Sequence, residues 1–177
     1  MASPWLLPGL AALVTVCWLS WTANRLDRLH HRVDVARGTL AAQLLRRSGA
    51  ALELAASESL DPPSRLVLLD AAHHARTADS SGFEAAESRL SLALRTVLGD
   101  PREVDRLRAD ALAGPLVHEL AQRCTKVELA RRFLNDVVAS ARALRSRAPV
   151  RWLRLAGHAP EPRTVDLDDA APGALVG

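Results

Sequence analysis

Residues Trp5 to Trp21, WLLPGLAALVTVCWLSW, run without a break into NRLDRLHHRVDVARGTLAAQLLRR. No charged side chain occurs from Met1 to Asn24. The apolar core, Leu6 to Leu19, sits near the lower limit of the roughly 17–25 residues that a bilayer-spanning helix needs. Trp5, Trp18 and Trp21 lie near its two ends, where an indole sets its apolar body toward lipid and its N–H toward headgroups. Pro8 and Gly9 fall in the first turns, where proline costs a helix least. The run is therefore expected to be a single transmembrane anchor over residues 5–23, after a short extracytoplasmic start at 1–4. A cleaved signal peptide fits less well. No Lys or Arg precedes the run, and cleavage after Ala23 or Ser20 would put Trp21 or Trp18 where a small residue is needed. A soluble core helix is the third reading.

Arginine asymmetry gives the expected orientation. Arg25, Arg28, Arg32 and Arg37 follow the run at once and none precedes it, so the N-terminus is expected outside and the rest in the cytoplasm. Arg25, Arg28 and Arg32 are also placed for headgroup contact, each contributing about 1 kcal/mol near an anionic surface.

Beyond the anchor, hydrophobic spacing is helical throughout. Leu26, Leu29, Val33, Ala36, Leu40 and Leu44 step by 3, 4, 3, 4 and 4 residues. Asp61-Pro62-Pro63 ends that helix, which from Asn24 to Glu58 would be about 52 Å long at 1.5 Å per residue. Asp61 or Ser64 caps a second helix with Leu66, Leu69, Ala72 and Ala75 or Ala78 inward, ending near Asp79. Ser80-Ser81-Gly82 interrupts the chain. Phe83 to Leu98 resumes with Leu90, Leu94, Val97 and Leu98 inward. Gly99-Asp100-Pro101 stops it, a short helix covers 102–113, and Gly114-Pro115 breaks again. The last long helix spans about 116–147, its stripe Val127, Ala130, Leu134, Val137, Ala141 and Leu144 holding a 3.5-residue period. Residues 158–177 are rich in Pro, Gly and acid without periodicity, and 156–177 is expected to be a disordered tail. No strand signal appears. The expected fold is all-α: a transmembrane helix continuing into an antiparallel up-down helical bundle over 24–155.

Two stretches carry a family resemblance. Arg32 to Arg47, R-V-D-V-A-R-G-T-L-A-A-Q-L-L-R-R, with Asn24 upstream, resembles the signature of the LemA family, bacterial proteins with an N-terminal anchor and a cytoplasmic helical bundle. The matching positions are Asn24, Arg32, Val33, Ala36, Gln43, Leu44, Arg46 and Arg47. Ala130 to Val138, A-R-R-F-L-N-D-V-V, is similar to the family's A-R-R-Y-Y-N-D-A-V, with Arg131, Arg132 and Asn135 in register. The chain departs from the pattern in having no tyrosine and in carrying Ser48 to Glu53 where the family has D-L-I-P-N-L. The resemblance implies an antiparallel bundle and no agreed catalytic role.

Site chemistry is sparse. Lys plus Arg number 23 and Asp plus Glu 20, a near balance without a recognition motif, so nucleic acid is not an expected partner. Among the histidines, His30 and Asp34 share a helix face, and His74 and His118 could join them, but no His-x-x-x-His or Glu-x-x-His pair occurs. Surface histidines without a metal are the expectation, and no cofactor is implied. Neither a Gly-x-Ser-x-Gly elbow nor a phosphate loop is present. Cys17 and Cys124 read as small hydrophobes rather than a disulfide. Gln43, Arg46 and Arg47 on one long helix and Arg131, Arg132 and Asn135 on the other are expected either on solvated faces or in one polar cluster, where Asp136 or Glu128 would help to set helix register. The expected function is a non-enzymatic, membrane-anchored scaffold or adaptor. Its partners would be the lipid bilayer and a cytoplasmic or membrane protein, with a second copy of the chain as a further candidate. An anionic-lipid-binding surface module and a metal-dependent enzyme are the alternatives.

Overall fold

A computed structural model of the chain describes residues 6–79, 81–146 and 162–176. Within them the regular elements are α1 (Leu6–Ala56), α2 (Pro62–Thr77), α3 (Phe83–Val97), α4 (Pro101–Ala109), α5 (Ala113–Arg145) and a closing turn, α6 (Gly173–Val176). The all-helical class follows from the spacing of apolar residues, and the structure is a helical bundle.

Local chemistry sets the boundaries. Asp61 accepts a hydrogen bond from Ser64 N at 3.1 Å, with prolines in the first turn of α2. Asp100 does the same for Arg102 N at 2.9 Å, so α4 begins on Pro101, whose missing N–H costs nothing there. The break expected at Gly114-Pro115 lies earlier. Asp110 Oδ1 accepts from Leu112 N and Ala113 N, and Gly114 and Pro115 occupy the first turn of α5. At Gly99 an added Cβ would press on the Arg95 carbonyl, and at Gly114 it would meet the Arg108 carbonyl at 2.7 Å, so both turns require glycine. Glu58, just beyond α1, holds φ at 61° in the left-handed region.

The chain divides into two compact units, one of residues 1–36 and 135–164 and one of 37–134 and 165–177. In the first, Val33 and Ala36 of α1 and Val138, Ala141 and Leu144 of α5 are buried. His30 Nε2 lies 3.5 Å from Arg145 Nη1, and Arg142 Nε donates to the Pro162 carbonyl at 2.9 Å. In the second, a core joins Leu54 of α1, Leu68 of α2, Leu90 and Leu94 of α3, Leu107 of α4, and Val117 and Leu120 of α5.

Two expected faces shift. On α2 the buried positions are Leu68, Ala71 and Ala72, while Leu66 is 67% exposed. A strict step of three drifts off one face of a 3.6-residue helix, and the i, i+3, i+4 set wins. On α5 a 3.5-residue period drifts more slowly against the 3.6-residue helix, and Val138 is buried fully while Val137 is half-buried.

Among the described residues no helix is long and apolar enough to cross a membrane. The opening of α1 mixes Thr15, Ser20 and Thr22 among its apolar residues, and Trp5 lies outside the described residues. Residues 162–176, expected within a disordered tail, are instead packed. They form an extended strap that buries Leu167, Pro172 and Leu175. Residues 156–161 lie outside the described part.

Candidate functional site

The double arginine of α1 is split by helical geometry. Successive residues sit about 100° apart, so Arg46 is exposed while Arg47 joins the inward stripe with Leu40, Leu44 and Ala51. Arg47 is 1% exposed, although an arginine is almost never fully buried without a partner. Its partners come from α3. Arg47 Nη2 donates to Glu87 Oε2 at 2.6 Å and to the Glu87 carbonyl at 3.2 Å, and Nη1 donates to Ser91 Oγ at 3.0 Å. Ser91, one turn on, donates back to the Glu87 carbonyl at 3.2 Å. Glu87 is 3% exposed. Burial pushes its carboxyl above the ordinary range, and the guanidinium opposes that shift without cancelling it. Among the described residues, the buried Arg47 Nε–H donates to no protein group and the buried Gln43 Oε1 accepts from none. The cluster is sealed, so it can fix the register of α1 against α3 but offers no surface to a substrate.

The second set of expected residues goes elsewhere. Arg131 meets Asp169 of the strap in a bidentate pair, Nε to Oδ2 at 2.6 Å and Nη2 to Oδ1 at 3.0 Å. Arg132 pairs with Glu128 on the surface of α5, and Asn135 is half-buried. Arg47 and Arg131 thus anchor separate pairs, while Arg46 and Arg132 lie on exposed faces. Glu87, Ser91 and Asp169 are the partners that sequence reasoning missed. The signal for Glu87 was present: it lies on the same apolar stripe as Leu90 and Leu94, where a lone carboxylate demands a cation.

Along the opening of α1, Asn24, Arg25, Arg28 and Arg32 are exposed and Val33 is buried. The Arg25 guanidinium lies 5.6 Å from the Trp21 ring centroid, a cation–π contact that joins the two residue types expected at headgroup level. Trp18 and Trp21 are 43% and 55% exposed. Cys17 is an exposed free thiol. Burial pushes the Cys124 thiol up to about 11.

His74 Nε2 lies 3.5 Å from Asp70, and His118 contacts Gln122 at 3.0 Å, each within its own helix. No group of three His, Cys, Asp or Glu side chains that could hold a metal occurs among the described residues. A shallow recess of about 350 Å³ at the α2–α3 turn is lined by His74, Thr77, Gly82 and Arg89.

The strap supplies the most elaborate polar surface. Arg95 of α3 grips Asp168 through two bonds, 3.1 and 2.5 Å, and donates to the Ala170 carbonyl at 2.8 Å. Asp168 N donates to Ser88 Oγ at 3.0 Å and Asp166 N to Glu84 Oε1 at 3.2 Å. The Arg95 pair holds the Asp168 carboxyl below its ordinary range. Arg108 Nη2 donates to the Leu175 carbonyl at 3.0 Å.

No family model matches this chain, and searches of curated proteins and of solved structures also return no match.

Proposed function

We propose that the chain is a membrane-anchored, non-enzymatic helical bundle that presents a helical surface to protein partners, with the up-down antiparallel arrangement of LemA-like proteins. The observation that carries this reading is the opening of α1. Leu10, Leu13, Val14, Val16, Trp18 and Trp21 are all 43–61% exposed, an apolar surface that water disfavours and a bilayer accepts. Exposed Arg25, Arg28 and Arg32 follow directly, with the Arg25–Trp21 stack at the junction. Arginines on one side of the run favour a cytoplasmic bundle. The LemA reading rests on the motif positions from Asn24 to Arg47 and from Ala130 to Val138. The polar groups of those motifs that are buried, Arg47 above all, are spent on packing rather than aimed into an open cleft, which favours a scaffold over an enzyme.

The test is alkaline carbonate extraction of cells expressing the full chain, together with proximity labelling from a C-terminal tag. Retention in the pellet and labelling of cytoplasmic proteins are expected. Release into the supernatant would refute the anchor, and labelling by an external-only reagent would refute the orientation.

A second reading, a module that lies on anionic lipid, draws on the exposure of Arg25, Arg28, Arg32 and Arg37 along α1. Salt-dependent binding to anionic but not neutral liposomes, with full release by carbonate, would favour it.

A further inference from the structure

We propose that the C-terminal strap is a ligand held in cis, and that the surface it covers on α3 and α5 is the docking site for an acidic, leucine-bearing extended segment of a partner protein. This rests on the scaffold reading and names the partner's chemistry.

The geometry resembles peptide capture more than core formation. Residues 166–169 alternate as an extended chain does, with period two. Asp166 and Asp168 turn their amides to Glu84 and Ser88 of α3, while Leu167 is buried and Asp169 reaches Arg131 of α5. Glu84, Ser88 and Arg95 form one stripe of α3, so a single helix face reads both the backbone and a carboxylate of the segment. Downstream, Pro172 leads into the α6 turn, which places Leu175 in the core at 1% exposure, with Arg108 on its carbonyl. The recognised pattern is therefore Leu-Asp-Asp followed by a second leucine at Leu175. Three arginines, Arg95, Arg108 and Arg131, give the surface the opposite sign to the segment.

The contacts are also of a kind that can be exchanged. These ties of residues 166–170 to α3 and α5 all run through a side chain. The Arg95–Asp168 pair is 32% and 42% exposed, a solvent-screened contact, and only Arg131–Asp169, at 24% and 10%, is well shielded. Helices α1 to α5 share a core that takes Leu175 from the strap, with Ala171 and Ala174 packed against its edge. Opening the strap uncovers the arginines, and a segment of matching chemistry, carrying its own leucine for the Leu175 site, binds by displacing it.

The experiment uses the full chain in mild detergent and a fluorescein-labelled peptide with the sequence of residues 163–176. In wild type the site is occupied, and weak binding is expected by fluorescence anisotropy. In D168N/D169N the strap is loosened, and binding at least tenfold tighter is expected, falling as salt rises and lost when Arg131→Gln is added. Equal affinity for wild type and D168N/D169N, or indifference to Arg131→Gln, would overturn the proposal. Hydrogen exchange of the strap amides shows whether D168N/D169N has loosened it. If it has not, L167S/L175S takes its place with the same two criteria. A wild-type dimer that dissociates on adding the peptide would assign the site to a second copy's strap and overturn the choice of a different partner. Carbonate extraction is independent of all these results, so failure of peptide binding and failure of the membrane anchor are told apart.

Discussion

Replacing Arg47 by methionine keeps an unbranched apolar stem and removes the guanidinium and its charge. It leaves the Glu87 carboxyl, 3% exposed, without its cation. Arg47 loses three hydrogen bonds, two of them to Glu87. Removing one partner of a buried ion pair costs about 3–5 kcal/mol, because the remaining charge is stranded away from water. Deleting the buried Nε that no protein group accepts returns part of that, so the lower end of the range is expected. With a urea m-value of about 2 kcal/mol per molar, the midpoint falls by about 1.5–2 M. The double variant R47M/E87L exchanges the pair for apolar bulk and is expected to unfold within about 0.5 M of wild type or above it. The assay is urea titration of the full chain in mild detergent, followed by circular dichroism. pH supplies an internal control. The Glu87 carboxyl is raised above its ordinary 4.5 in the folded chain, so the folded state holds the proton more tightly than the unfolded state. Its contribution is fully present below pH 4.5 and is lost as pH rises through the folded value. In R47M the carboxyl escapes its stranding by taking a proton, so the deficit shrinks in acid. A deficit as large in acid as at neutrality, or a double variant as damaged as the single, would refute this account of the cluster.

Three further outcomes are expected. Glu58→Gly relieves a left-handed residue just past the end of α1 and should raise the melting temperature by about 1–4 °C in a thermal scan, since glycine adopts that conformation freely. Cys124, with its thiol held up to about 11 by burial, should resist iodoacetamide at pH 8 in the native chain and react once urea is added, as mass spectrometry will show. The Asp168 carboxyl lies below its ordinary 3.8 because Arg95 binds its charged form. Its contribution to seating the strap is therefore present above pH 3.8 and lost as pH falls through the lower folded value, which the amide resonances of residues 166–170 will report by shifting in strong acid.

Helix positions were legible because burial on a 3.6-residue period leaves a repeating mark, and Leu90, Leu94, Leu134, Ala141 and Leu144 all carry it and are all buried. On α2, spacing by three is as regular as the true set, and packing in the core separates buried Leu68 from exposed Leu66. The Arg46–Arg47 pair was recognised as a polar motif, but one buried arginine with one exposed neighbour follows from helical phase: Leu40 and Leu44 already define the inward side on which Arg47 falls.

The tail shows where composition misleads. Residues 163–176, RTVDLDDAAPGALV, have too little apolar content to build a core, and judged alone they belong with disordered segments. That judgement assumes the segment must supply its own burial. Here α3 and α5 supply it, through Arg95 and Arg131 for the carboxylates and through core sites for Leu167 and Leu175. The same argument bears on exchange. A segment whose order comes from another surface is ordered only while that surface is free to hold it. The carboxylates that made the tail look unstructured are the groups that let it be held, and any competing segment must reproduce them before it can take its place.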